Sequence, residues 1–321
     1  MCTKNKGLNF FGQLLLLSAT VVWGSSFIIL KETIQTVPAL YVIGLRFLVS
    51  ALVLGLVFIK RIKVTDKQTF INGVILGTVL AGAYITQTLG LKYIGAGKNA
   101  FITSLYCVMC PFLMWTMFGV KPKSYNLVSA VLCVIGIGLV AISGSEKDDV
   151  NVFLGCALTF FCAIFFTFQI VLTGKFHERK NDAFQLLFVQ LLTVGVIISL
   201  FSLAFELPFC GISAYVFNAE QARKIIYLTA VCTLYAQMAQ IFGIKFTEPT
   251  QASIILTLEA VFGVVFAIIL GNERITPVLW AGFTVIFCGT VISELKIDML
   301  GRLKHKFRNL PQKKDENGKS Y

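Results

Sequence analysis

The sequence predicts an all-α polytopic membrane protein, with ten transmembrane helices forming two inverted five-helix repeats. Three observations lead there. Hydrophobic residues fill 56% of the 321 positions and charged residues only 14%, at a mean hydropathy of +0.80. A water-soluble domain carries about 25% charged residues and could not cover itself with so few. The apolar residues fall in ten continuous runs, each near the length that crosses a hydrocarbon core of about 30 Å as a helix. Motifs in the first half of the chain also recur in the second. This composition excludes a disordered chain, a nucleic-acid-binding domain and a secreted disulfide scaffold.

The runs cover 11–30, 40–59, 70–91, 100–118, 127–143, 152–173, 184–205, 225–244, 252–271 and 277–293. Membrane strands would alternate apolar and polar residues, and these runs do not, so each is expected to be a helix. The first follows Lys4 and Lys6, as a signal peptide would. Apolar residues continue past its small Ser25 and Ser26, so it is expected to be a retained span. The fourth holds Cys107 and Cys110, a CxxC without a second pair or a nearby histidine, which reads as small apolar residues rather than a metal or redox site. The fifth and tenth runs are the shortest. Gly136, Gly138, Gly282 and Gly289 are expected to let these two pack closely.

With an inside N-terminus, the loops and tail place 20 Lys and Arg on the inner side and 7 on the outer, while Arg46 lies within the second run. The outer set includes Lys31, Lys92 and Lys98. This bias places both termini in the cytoplasm of a multi-pass protein of the cytoplasmic membrane. The net charge of +12 is thus a topology signal, and no nucleic-acid partner is expected.

Gly90-Leu91-Lys92-Tyr93 recurs as Gly243-Ile244-Lys245-Phe246, an offset of 243 − 90 = 153. The same offset relates Gln87 to Gln240, Tyr106 to Glu259 and Gly136 to Gly289. Gly12 and Trp23 relate more weakly to Gly155 and Phe166 at an offset of 143. Residues 1–147 and 148–296 therefore read as two repeats, followed by a basic tail over 297–321. Five spans per repeat is an odd number, so the second repeat starts on the opposite side of the membrane. Inverted repeats characterise secondary transporters, because two symmetry-related shapes can open to opposite sides.

Several stretches are similar to bacterial drug/metabolite transporters of the EamA type. They are Trp23-Gly24-Ser25-Ser26-Phe27, Pro38 with Arg46-Phe47, Gly90-Leu91-Lys92-Tyr93, Leu258-Glu259-Ala260-Val261-Phe262, and Leu270-Gly271-Asn272-Glu273-Arg274. Ala260 stands where the family usually has proline, and Asn272 is inserted before Glu273, so the ninth helix is expected to be less kinked than usual. The resemblance spans all ten runs. It implies a central cavity and alternating access for a small organic metabolite such as an amino acid, here expected to move outward. A broad-specificity drug exporter is the alternative, with an intramembrane enzyme or a channel behind it. No cofactor, metal or catalytic group is expected. All six aspartates and both histidines lie outside the runs, and no phosphate-binding loop is present.

Polar groups deep in a bilayer are costly and face the bundle interior. Tyr84 and Gln87 share a face of the third run, and Gln237 and Gln240 share one in the eighth. Asn99, Thr103 and Tyr106 form a stripe in the fourth. Trp23 and Phe166 supply flat apolar walls. These residues, with Glu259, are the candidate substrate contacts. For Glu259, proton coupling and a permanent hydrogen-bond brace are both open. Arg46 is expected to gate or brace the bundle. Glu32 and Glu273 read as solvated span ends. The oligomeric state is expected to be a monomer or homodimer in the lipid bilayer.

Overall fold

The computed structural model describes residues 6–62, 66–119, 121–142, 151–178, 182–247, 249–270 and 276–294. Lys4, Lys63, Arg179, Lys180, Asp148, the Gly271, Asn272, Glu273 and Arg274 motif and the tail from 297 lie outside them. Among the described residues every regular element is helical. The first half holds α1 (Lys6–Thr33), α2 (Ala39–Val57), the single-turn α3 (Ile59–Ile62), α4 (Lys67–Leu91), α5 (Ala96–Thr103), α6 (Tyr106–Phe118) and α7 (Ser124–Ile142). The second holds α8 (Val152–Glu178), α9 (Ala183–Phe205), the single-turn α10 (Leu207–Cys210), α11 (Ala219–Thr229), α12 (Ala236–Phe246), α13 (Pro249–Ile269) and α14 (Pro277–Glu294).

Seven helical stretches are long and apolar enough to cross a membrane by length and composition: α1, α2, α4, α5 with α6, α8, α9, and α11 with α12. Shorter apolar stretches lie at Ser124–Gly136, Ile255–Ile269 and Pro277–Gly289. Two of the long stretches are irregular. Residues 104 and 105 interrupt the fourth, where Cys107 N–H and Val108 N–H reach back only three residues, to the carbonyls of Ser104 and Leu105. Between α11 and α12 the chain widens into a π-helical segment, Ala230–Tyr235. By contrast α13, with Ala260 in place of proline, runs unbroken.

Caps fix the helix starts. Asp66 accepts from the Thr69 N–H at 2.9 Å to begin α4, and Asp182 accepts from the N–H groups of Phe184 and Gln185 to begin α9. Asn218 and Gln221 form a capping box at α11. Pro38 offers α2 no side-chain cap. That role falls to Glu206, just past the far end of α9. Its Oε1 accepts from the Leu40 N–H and its Oε2 from the Tyr41 N–H, both at 3.0 Å.

A matching contact joins the opposite ends of the same two helices. Arg61, just past the end of α2, donates through Nε and Nη2 to Oδ2 of Asp182 at the start of α9, at 3.0 and 2.6 Å. The antiparallel α2–α9 pair is therefore clasped at both ends. The other main packings are α1 on α12 and α13, α4 on α8 and α9, and α7 on α14.

Close approach depends on glycine at Gly24, where a Cβ would meet the Phe262 backbone of α13 at 2.8 Å. At the α7–α14 contact Gly136 faces the Gly282 carbonyl and Gly289 faces Cys133. Gly138 does not belong there: its position points away from α14, with nothing within 4 Å of a built Cβ. Two lysines assigned to outer loops also sit differently. Lys98 lies inside α5 and is buried, and Lys31 is buried with its amine 3.2 Å from the Ile94 carbonyl.

Candidate functional site

A narrow chamber lies among α1, α4, α6, α8, α12 and α13. Its walls include Trp23 from α1, Tyr84 and Gln87 from α4, Tyr106 from α6 and Phe166 from α8. Gln240 from α12 and Glu259 from α13 complete the set of sequence candidates that line it. The free space is about 20 Å³, roughly one water position, so in this conformation the chamber is closed around its polar groups.

The remaining candidates stand behind this wall. Thr103 accepts from Gln87 Nε2 at 3.3 Å, and Asn99 Nδ2 donates to Thr159 Oγ1 at 2.9 Å and to the Gln87 carbonyl at 3.2 Å. These two residues of α5 thus hold the Gln87 segment rather than line the space. Gln237 bridges inward: its Nε2 donates to the Tyr84 hydroxyl at 3.2 Å while its Oε1 accepts from Gln190 at 3.3 Å. Gln240 donates to Gln169 at 3.4 Å. The Tyr106 hydroxyl, beside the Glu259 carboxyl, makes no well-formed hydrogen bond within the protein. Both residues are buried.

Arg46 is almost wholly buried but is not part of the chamber wall. Its Nε donates to Thr233 Oγ1 at 2.6 Å, and its guanidinium carbon lies 5.9 Å from the Tyr84 ring centroid. Thr233 belongs to the π-helical segment. Widening a helix leaves carbonyls without their usual partners, and side chains from the first half meet them here. Trp23 Nε1 donates to the Cys232 carbonyl at 2.9 Å, and Ser50 Oγ to the Thr229 carbonyl at 3.2 Å. Arg46, Ser50 and Trp23 thus hold the distorted segment immediately before Gln237. Glu32, expected to be a solvated end, pairs with Lys224 at 2.9 Å, and the pair remains partly exposed.

Four wall residues are missing from the sequence reading: Ser26, Phe27, Ile170 and Leu256. Helical spacing carries the signal for all four. Ser26 and Phe27 are three and four residues past Trp23, Ile170 is four past Phe166, and Leu256 is three before Glu259. Among the described residues no three His, Cys, Asp or Glu side chains gather as a metal site. Cys107 and Cys110 are buried in α6.

A helical bundle with several membrane-length apolar helices, closed around a polar chamber, has the form of a membrane transporter for a small molecule. The chain belongs to the EamA-like transporter family, whose pattern matches residues 10–142 and again 153–295. It is 25% identical over 290 residues to an uncharacterized transporter of Archaeoglobus fulgidus, covering 89% of this chain and 87% of the relative. It is 21% identical over 279 residues to the uncharacterized transporter YoaV of Bacillus subtilis, covering 85% and 93%. It is 20% identical over 298 residues to the uncharacterized inner membrane transporter YedA of Escherichia coli, covering 90% and 91%. A solved crystal structure matches the fold with a TM-score of 0.66 at 14% identity, over 90% of this chain and 98% of that one. At that identity the likeness concerns the fold alone.

Proposed function

We propose that this protein is a secondary transporter that moves a small, polar organic metabolite of the amino-acid type out of the cell by alternating access. In this reading ten helices cross the membrane as two inverted repeats, 1–147 and 148–296, with both termini cytoplasmic. The observation that carries the proposal is the closed chamber. Amide, phenol and carboxyl groups from both halves converge there behind aromatic walls. The contacts support the inverted repeat. Tyr84 bonds directly to Gln237, its counterpart at the offset of 153. Gly12 meets Gly243 on α12 as Gly155 meets Gly90 on α4, each against the carbonyl of its partner. A broad drug exporter fits less well, because a pocket for varied apolar compounds would not need this many hydrogen-bonding groups.

The test is substrate protection. In a background lacking native cysteines, cysteine at Gln87 or Gln240 should react with a small water-soluble thiol reagent, and the transported compound should slow the reaction. Inert behaviour at both positions would remove them from the site. In the proposal Glu259 also couples transport to protons. Glu259→Gln keeps the shape and much of the hydrogen bonding but cannot release a proton. The variant should still exchange substrate between proteoliposome compartments at equal pH and should lose accumulation driven by a pH gradient. Accumulation equal to wild type would leave Glu259 as a brace only.

A further inference from the structure

A second cavity, of about 530 Å³, opens on the outer surface of the α2–α9 pair, away from the chamber. Leu48, Leu52 and Leu56 line it as one stripe of α2, Leu192 faces them from α9, and Ile59 and Ile62 of α3 close one end. Gly55 contributes no side chain to it, and the Phe188 ring lies where its Cβ would be. Leu52 and Leu56 are more than half exposed. In a membrane-spanning pair such a groove faces hydrocarbon. From Leu48 to Ile59 it runs roughly 16 Å at 1.5 Å per residue, about half the thickness of a bilayer core. Its length is therefore that of one leaflet.

The charges at its end decide which lipid suits it. α3 reads Ile59-Lys60-Arg61-Ile62, so the residues between the two groove-facing isoleucines are both cationic. Lys60 is exposed, and Lys67 is exposed at the start of α4. Arg61 is half exposed while bonded to Asp182. The acids at this end are engaged: Asp182 with Arg61, and Asp66 with Thr69. We propose that the groove is a binding site for one phospholipid with an anionic headgroup, with an acyl chain along Leu48, Leu52 and Leu56 and the phosphate at Lys60 and Arg61. The site requires only that the chain spans a membrane, and it is independent of the substrate reading. In the proposed orientation it faces the cytoplasmic leaflet, where basic residues at the membrane surface attract anionic lipid.

Native mass spectrometry of the full chain in detergent, titrated with phosphatidylglycerol or phosphatidylcholine, tests this. Wild type should retain phosphatidylglycerol in preference to phosphatidylcholine. Lys60→Gln should lower that preference roughly fivefold, the value of one surface lysine, and Lys60→Glu should abolish it. Leu52→Trp fills the groove and should reduce the binding of both lipids. Both positions are exposed, and unchanged thermal stability in phosphatidylcholine will establish that the variants fold. The proposal is overturned if wild type shows no preference, if the preference survives Lys60→Glu, or if Leu52→Trp leaves phosphatidylglycerol binding unchanged. A wild-type dimer that Leu52→Trp dissociates, with no lipid preference, would assign the groove to a second copy instead and also overturn it.

Discussion

Replacing Glu206 with alanine removes three accepted hydrogen bonds at once: from the Leu40 N–H, from the Tyr41 N–H and from the Ser202 hydroxyl at 2.9 Å. The first two are two of the three donors that the start of α2 leaves without intrahelical partners, since Pro38 has no N–H and the Val42 N–H reaches the Pro38 carbonyl. A bond to a charged acceptor contributes about 1.5–3 kcal/mol, and a carboxylate at a helix N-terminus adds about 0.3–1 kcal/mol. This end lies near water, since the Lys92 side chain beside it is 39% exposed, so the freed N–H groups regain part of their bonding. The net loss expected for Glu206→Ala is about 2–3 kcal/mol. At about 2–4 °C per kcal/mol for a chain of this order of size, the melting midpoint should fall by roughly 5–10 °C. Glu206→Gln keeps one acceptor and loses the charge, and should cost about half as much. Lys92 stands 3.9 Å from the carboxylate, and such an exposed pair contributes at most about 1 kcal/mol, so Lys92→Ala should be mild. The assay is thermal unfolding of the purified variants in one detergent, with folded protein counted by size-exclusion chromatography. The reasoning fails if Glu206→Ala lies within about 2 °C of wild type. It also fails if Lys92→Ala is as damaging, because the ion pair and not the cap would then hold the joint.

The opposite joint should respond to acid. Burial works to raise the Asp182 pKa, but Arg61 and the N–H groups of Gln185 and Phe184 outweigh it and hold the group below the usual range. A depressed pKa gives stability that is present above the unfolded value of about 3.9 and is lost as pH falls through the lower folded value. The midpoint gap between wild type and Asp182→Asn should therefore be present at neutral pH and close on acidification below about pH 4; a gap that persists unchanged at about pH 3 contradicts the assignment. Gly24→Ala forces a methyl against the α13 backbone and should destabilise by about 1–3 kcal/mol. Gly138→Ala meets nothing and should be neutral or stabilising by up to about 1 kcal/mol through helix propensity. Unfolding midpoints check the pair, and equal effects would refute the packing argument.

Much of the helical organisation was legible because a bilayer imposes a coarse rule on composition, and runs such as 70–91 and 184–205 satisfy it without reference to neighbours. The chamber was legible for a related reason: Gln87, Gln240 and Glu259 are too polar to face lipid, so type and position alone send them inward. The interruption at 104 and 105 and the π-helical segment at Ala230–Tyr235 were not legible. Neither contains a glycine or proline within it, and the second is held by Trp23, Ser50 and Arg46 from elsewhere in the chain. The role of Glu206 was hidden likewise. As a sequence it is one glutamate at a span end, and its partners lie 166 and 165 residues away.

These distant partners bear on how a two-state cycle would be biased. On the inverted-repeat proposal, exchanging the roles of the halves turns an inward-open shape into an outward-open one. With identical halves the two shapes would have equal energy. Here the axis pair is Tyr84 with Gln237, and the next is Tyr106 with Glu259, so each exchange swaps a phenol for an amide or a carboxyl. The two joints differ in the same sense. Glu206 is an acceptor for backbone N–H groups, whereas Arg61 is a donor to a carboxylate that already caps its own helix. A carboxylate that accepts three hydrogen bonds is worth more than a half-exposed ion pair. The Glu206 joint is therefore the stronger of the two. Motions that separate the ends of α2 and α9 should begin at the Arg61–Asp182 end, which is also the end where the outer groove meets Lys60.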